Sequence, residues 1–176
     1  MFQEFVIPAK EGTQRKIKNW VPAVAGMTMF ALATSAAAQD KQPPYWASIA
    51  SGEAMTRTGP GKNYPGIWLY HRRDLPVRVV KKYDNWRLIQ DPDAAQGWML
   101  VTLLSDRRTA MVKPGAPRPV RVGAYDGAKA RYMAEAGVVG RISKCSNGWC
   151  RIEIGKRDGF IRIADIWGVS DGEVVD

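Results

Sequence analysis

Histidine and cysteine are scarce in this 176-residue chain, which has one histidine, His71, and two cysteines, Cys145 and Cys150. Zinc wants four ligands, and a CxxxxC pair with its only histidine far away in sequence does not supply them. Covalent hydrolysis needs a nucleophile beside a base that activates it, and His71 lies in the run His71-Arg72-Arg73 with no serine-containing elbow nearby. Phosphate-loop, dinucleotide-binding and metal-ligand spacings are missing as well. Asp91 and Asp93 flank Pro92 in a turn, as solvated carboxylates rather than an acid–base couple. These absences point to a non-enzyme without cofactor or metal. Long apolar runs are also lacking: the stretch from Val21 to Ala33 is broken by Pro22 and Gly26, which argues against a stable membrane span. Past residue 45 no long stretch carries the 3.6-residue period of a helix.

What is present begins with an export pattern. Arg15, Lys16 and Lys18 form a basic region, the interrupted apolar stretch follows, and Ala36-Ala37-Ala38 offers an A-x-A cleavage pattern before Gln39. Residues 1–38 are therefore expected to be a targeting segment. Ile7 to Thr28 also resembles translated intergenic repeat sequence, so the true start and cleavage site stay open. Removing 1–38 leaves about 138 residues and changes the formal charge from +9 to +7, since four basic and two acidic residues go with it. That balance suits anionic surfaces. The basic residues, however, stand singly or in pairs (Arg72-Arg73, Lys81-Lys82, Arg107-Arg108), and nucleic acid is not expected as a partner.

Cys145-Ser146-Asn147-Gly148-Trp149-Cys150 closes a small ring around an Asn-Gly turn signal. Asn-Gly is favoured where both turn residues need φ > 0, and β-branched runs flank it at Val138–Ser143 and Arg151–Ile154. Cysteines facing each other across such a hairpin come within disulfide range. Two readings are open, a pair of half-buried thiols or a structural staple formed in an oxidising compartment; the export pattern favours the staple.

The chain also repeats itself. Leu75-Pro76-Val77-Arg78-Val79-Val80-Lys81 aligns with Val138-Val139-Gly140-Arg141-Ile142-Ser143-Lys144 at an offset of 63, as does Trp86-Arg87-Leu88-Ile89 with Trp149-Cys150-Arg151-Ile152. Downstream, Gly97-Trp98-Met99-Leu100-Val101 matches Gly159-Phe160-Ile161-Arg162-Ile163 with a loop one residue shorter, and upstream Arg57-Thr58-Gly59 matches Arg121-Val122-Gly123. Such duplication determines architecture. Within each copy the period is two, as in Val77, Val79 and in Trp86, Leu88, and the interruptions are turn chemistry. Ala128–Ala136 contains helix formers, but it lies opposite Pro65–Arg73 and is read as arm and strand. The expected class is all-β, with short strands in small barrels.

Thr56-Arg57-Thr58-Gly59-Pro60, Tyr64-Pro65, Asn85-Trp86 and Gly97-Trp98 together resemble the bacterial SH3-like domain family, whose pattern is an R-x-G-P turn, a Tyr, a Gly/Asn-Trp and a Gly-Trp. The second copy looks divergent: it lacks the proline after Gly123, and Phe160 replaces the second Trp. Its Cys145, Trp149-Cys150 and Ile166-Trp167-Gly168-Val169 resemble an exported two-copy subgroup. The resemblance implies two tandem SH3-like β-barrels at 45–113 and 120–176, joined by a Pro-rich linker at 114–119. It places one-turn 3₁₀ helices at Val101–Ser105 and Ile163–Trp167. It places closing strands at Arg108–Val112 and Gly168–Val175.

For function, the resemblance implies a periplasmic or secreted binding module for a peptidoglycan peptide or an envelope protein. The expected aromatic groove is Tyr64, Trp68, Tyr70, Trp86 and Trp98, since Tyr and Trp rings supply apolar area with a polar handle. The competing reading of these rings is barrel packing. Tyr125 and Tyr132 lie on the equivalent arm of the second copy, which is read as a structural or docking domain. Two other readings remain: an envelope scaffold, and an electrostatic binder of anionic polymer or lipid through Arg72, Arg73, Lys81 and Lys82. Ligand identity, relative barrel orientation and oligomeric state are not encoded in any motif.

Overall fold

Two antiparallel sheets of seven strands each make up the described part of the chain, residues 41–176 of a computed structural model, with no α-helix among those residues. The expected targeting segment, 1–38, lies outside the described residues. The first sheet is built from β1 (Tyr45–Ile49), β2 (Ala54–Arg57), β3 (Gly66–Tyr70), β4 (Pro76–Tyr83), β5 (Trp86–Gln90), β6 (Gln96–Leu100) and β7 (Leu104–Ser105). The second comprises β8 (Thr109–Val112), β9 (Arg118–Arg121), β10 (Ala130–Ala134), β11 (Val139–Ser146), β12 (Trp149–Ile154), β13 (Arg157–Arg162) and β14 (Ile166–Trp167). Strand order is β3-β2-β6-β5-β4-β1-β7 in one and β10-β9-β13-β12-β11-β8-β14 in the other, the same topology twice.

The sequence repeat is a structural repeat. An offset of 63 carries β4 onto β11 and sets the start of β12 opposite that of β5. Even the register shift between Val79 and Lys81 recurs between Ile142 and Lys144. The 3₁₀ turns fall at Val101–Leu103 and Ile163–Asp165. Each is tied back to its hairpin: Val101 N–H donates to the Asn85 carbonyl and Ile163 N–H to the Gly148 carbonyl, both at 2.8 Å. Alternation fills the cores. Val77, Val79, Ile89 and Met99 are fully buried in the first barrel, and Val120, Ile152 and Ile161 in the second. The helix formers of Ala128–Ala136 do form a strand, β10.

Strand membership corrects part of the expected division. Arg108–Val112 was expected to close the first barrel, but β8 pairs with β11 and β14 and buries Ala110 and Val112 in the second core. It takes the place that β1 holds in the first barrel, which closes instead through β7 on β1 (Ser48↔Ser105). The Pro-rich stretch 114–119 therefore lies within the second barrel, as the β8–β9 loop and the start of β9, and the true connection is the short segment 106–108. Gly168–Val175 does not form a closing strand either. β14 ends at Trp167, and the tail returns as a single bridge from Val175 to Cys145.

With so short a connection, the barrels pack directly, and the described residues, 41–176, fall in one compact unit. Met111 and Val139 of the second barrel pack against the first core. Trp46 meets Trp167 edge-on at 4.9 Å and its indole N–H donates to Ser170 Oγ at 3.0 Å. Arg107 bridges to Asp74 at 3.0 Å, and Arg72 donates to the Gly137 carbonyl. Gly168 sits in this seam at φ +117°, where a Cβ would stand 2.4 Å from the Thr109 carbonyl oxygen. Only glycine suits that backbone at that distance.

Candidate functional site: the first-barrel arm and the disulfide hairpin

The arm of the first barrel is the hairpin formed by β2, the turn at 58–65 and β3. Arg57 sets its shape by donating through Nη1 to the Tyr64 carbonyl at 2.7 Å, while Thr58 N–H donates to the Pro65 carbonyl at 3.1 Å. The Tyr64 ring lies so close over Gly59 that a Cβ there would fall 2.4 Å from it. The Arg-x-Gly signal thus has a mechanism: an arginine holds the returning chain while a glycine leaves room for the ring.

Five large apolar side chains stand exposed on this arm: Met55 (38%), Tyr64 (42%), Ile67 (49%), Trp68 (63%) and Leu69 (41%). They are half of the ten exposed large hydrophobics among the described residues. A cluster of this kind marks an interaction surface, whereas singly scattered apolar residues need no explanation. β3 is the terminal strand of its sheet and pairs only with β2 among the described strands.

The five expected groove residues separate. Tyr64 and Trp68 are on the exposed arm, and Trp98 is half-buried on β6 opposite Arg57. Tyr70 is corrected to a core residue: it is 8% exposed and packs with Val77, Val79 and Ile89. Its phenol donates to Asp91 Oδ2 at 2.9 Å, and Asp91 Oδ1 accepts the backbone N–H groups of Asp93 (3.0 Å) and Ala95 (2.8 Å). Burial, then the bond to Asp91, pushes the Tyr70 phenol far above its ordinary range. Trp86 is buried too, at 9% exposure, and does not present its ring as a surface groove would need. Met55, Ile67 and Leu69 were missed. The signal for Ile67 and Leu69 was the unbroken run Ile67-Trp68-Leu69-Tyr70, where strict alternation would put polar residues on one face; Met55 on β2 had none.

The second arm reuses the frame with less apolar surface, Val122, Tyr125 and Met133 being its exposed large hydrophobics. Arg121 Nη1 donates to the Ala128 carbonyl, the counterpart of Arg57 on Tyr64, but alanine stands where Tyr64 was and Tyr125 lies against Gly123 instead. Arg131, Tyr132 and Met133 replace Ile67, Trp68 and Leu69. Asp158 lies between Arg151 (2.8 Å) and Arg131 (3.2 Å), and the hydrogen bond from Arg151 holds its carboxyl below the usual range. The Arg157 guanidinium stacks 4.7 Å from the Tyr132 ring centroid. Burial pushes the Tyr132 phenol up.

Cys145 and Cys150 are joined in a disulfide, the first directly opposite the second across the hairpin with Cα atoms 4.1 Å apart. Asn147 (φ 51°) and Gly148 (φ 80°) form the turn with both residues left-handed, as Asn-Gly favours. Cys145 also exchanges two backbone hydrogen bonds with Val175 (2.9 and 3.1 Å), so the staple fixes the tail as well as the hairpin. Beside the hairpin a cavity of about 320 Å³ is lined by Asp126, Asn147, Trp149, Arg162 and Asp171, and another of about 390 Å³ opens in the seam beside Asp74, Arg107, Arg141 and Glu153. His71 Nδ1 lies 3.5 Å from Glu53, both exposed. Of the expected basic patch, Arg72 is engaged across the seam. Among the described residues no group of three or more metal-ligating side chains gathers, and no helix is long and apolar enough to cross a membrane.

Among solved structures, the chain is similar to NlpC2 and NlpC1 from Trichomonas vaginalis. Both are 10% identical with a TM-score of 0.31; the matches cover 72% and 74% of this chain and 49% and 48% of theirs. It is also similar to an NlpC/P60 family protein from Bacillus cereus, at 14% identity and a TM-score of 0.30, over 69% of this chain and 55% of that one. The chain thus spans about half the length of these proteins. No curated protein matches it. A family model described as the bacterial SH3 domain matches twice, at residues 50–106 and 113–168. Those two matches take in most of the described chain, one on each sheet, and the chain belongs to the bacterial SH3 domain family.

Proposed function

We propose that this protein is an exported, non-catalytic binding module of the bacterial envelope that takes an extended peptide, of the cell wall or of an envelope protein, on the β2–β3 arm of its first barrel. Bacterial SH3 domains are binding modules. The observation that carries the reading is the concentration of exposed apolar side chains on one arm of one barrel, with Trp68 the most exposed of the five. Rings and aliphatic chains held out in water on a rigid frame are worth more at an interface than in solution. The buried disulfide fits an oxidising compartment, the periplasm or beyond. The second barrel, with its arm tied down by Asp158 and Arg157, serves as the platform that steadies the first.

The test is retention on purified peptidoglycan and on envelope extract at rising salt, with Trp68→Ala beside the parent protein. Retention that survives high salt and is lost in Trp68→Ala supports the arm, because screening removes purely electrostatic adsorption. Full release by salt returns the electrostatic reading through Arg72, Arg73, Lys81 and Lys82. Undiminished binding by a folded Trp68→Ala overturns the site.

A further inference from the structure

We propose that β3 is a docking edge, occupied by an extended segment of a partner protein that adds to the sheet as a further strand and is apolar at its centre with acidic flanks. This rests on the reading of the arm as the binding surface and names the mode and chemistry of what it takes. A sheet edge offers unpaired N–H and C=O groups, and proteins blunt such edges with charge or cover them. β3 carries no charged side chain and, among the described residues, nothing pairs along its outer edge: Ile67, Trp68 and Leu69 are all exposed on a terminal strand, with Ile67 at the extra residue of a bulge opposite Thr56 and Arg57. The Thr56 hydroxyl donates to the Trp68 carbonyl at 3.3 Å, so the Trp68 backbone faces β2. Because backbone groups alternate in an antiparallel pair, those of Leu69 face the open edge.

The same chain holds the contrasting case. β10 is the equivalent terminal strand of the second barrel, and there Arg131 stands at the place of Ile67, bridged to Asp158, with Tyr132 under Arg157. β10 thus carries a charge, Arg131, with Met133 its one exposed large hydrophobic, whereas β3 carries no charge and exposes three. An incoming strand would set side chains beside Leu69 on one face and beside Trp68 on the other, with Ile67 at the bulge that bounds the pairing. It must therefore be apolar on both faces at its centre.

Charge selects among occupants. The arm itself carries Arg57 and Lys62 and no carboxylate, and Arg73 follows it against Glu53 before it, Arg72 being engaged across the seam. A second copy of this chain pairing β3 to β3 would bring two such basic arms together, and like charges in apposition disfavour it. Acidic residues flanking an apolar segment complement the arm.

The test titrates the full chain by amide NMR with a capped peptide that has a Val/Ile centre and aspartates at both ends. Two control peptides share the centre, one with lysine ends and one N-methylated at alternate residues. The expected result is a shift of the Leu69 amide with slowed hydrogen exchange, about tenfold weaker binding of the lysine-ended peptide and none of the N-methylated one. Ile67→Arg, which copies the residue that β10 carries at that place, is expected to abolish the shift while leaving the remaining spectrum intact. Equal binding of the N-methylated peptide overturns strand addition, and equal binding of the lysine-ended one overturns the acidic partner. A concentration-dependent dimer of the parent that Ile67→Arg dissolves makes the occupant a second copy and overturns it too. If no peptide binds while peptidoglycan is retained through Trp68, this inference fails and the arm reading stands; if neither is retained, both fail.

Discussion

Tyr70 and Asp91 show how one side chain can be misread from its type alone. Tyr70 ends β3, the other four residues of which are exposed, yet its ring is in the core and its hydroxyl is the third donor to a buried carboxylate. The folded-state phenol titrates well above the ordinary value near 10. A raised folded value means the neutral form is the one stabilised by folding. That contribution is whole below about pH 10 and drains as pH climbs toward the folded value, because the unfolded chain gives up its proton first. Tyr70→Phe is expected to cost about 1–3 kcal/mol at neutral pH by leaving Asp91 Oδ2 without its donor. It should also flatten the loss of stability on the alkaline side. Urea unfolding of both proteins from neutral pH to about pH 11 checks it; parallel alkaline slopes would place the titrating group elsewhere.

At the scale of the element, the hairpin β11–β12 and its counterpart β4–β5 are one design in two versions. Both have two-residue turns and the same register shift, but only the second carries a disulfide. The first holds Lys82 opposite Arg87 where the second holds Cys145 opposite Cys150, so the hairpin does not need the bridge in order to form. The bridge is small, and closing so short a loop contributes roughly 2 kcal/mol in the chain-entropy model. Its added effect here is on the tail, through the two backbone hydrogen bonds exchanged between Cys145 and Val175. Replacing both cysteines by alanine is expected to lower stability by about that amount plus a smaller packing loss. Faster amide exchange should be confined to Cys145, Val175 and the turn between them. Exchange that instead rises evenly through both barrels would show the staple acting globally.

At the scale of the molecule, the seam makes two small barrels into one folded body. Barrels of this size are marginal alone, and here each lends the other apolar cover through Met111, Val139 and the Trp46–Trp167 contact. Calorimetry on the full chain is expected to show both barrels melting in one transition. Gly168→Ala puts a Cβ against the Thr109 carbonyl in a left-handed backbone and is expected to cost on the order of 2–4 kcal/mol. Two well-separated transitions in the parent would mean the seam is only contact, not coupling.

Much of this fold was legible in the chain, and the repeat made it so. The offset of 63 between Trp86 and Trp149 located the central hairpins, and the Gly-aromatic pairs located β6, β13 and the 3₁₀ turns after them. The first strand of each barrel was not legible. Tyr45–Ile49 and its counterpart 108–112 share a single residue type at matched positions, Ala47 and Ala110, and the Pro-rich stretch after the latter imitates a linker. The arm was half legible: Tyr64 and Trp68 stood out by type, while Met55, Ile67 and Leu69 resemble any strand interior until the sheet edge is known.

The sequence by itself determined the class of fold, its duplication, the hairpin turn that faces the two cysteines, and the Arg-x-Gly arm. These rest on local chemistry: periodicity of two, left-handed turn residues, and a glycine beneath a ring. Only the tertiary structure decided which barrel owns β8, that Tyr70 and Trp86 are buried while Ile67 and Leu69 are not, and that 106–108 rather than 114–119 joins the halves. Each of those is a matter of pairing between residues far apart in sequence, and a period of two names the faces of a strand without saying which face, or which neighbour, lies inside.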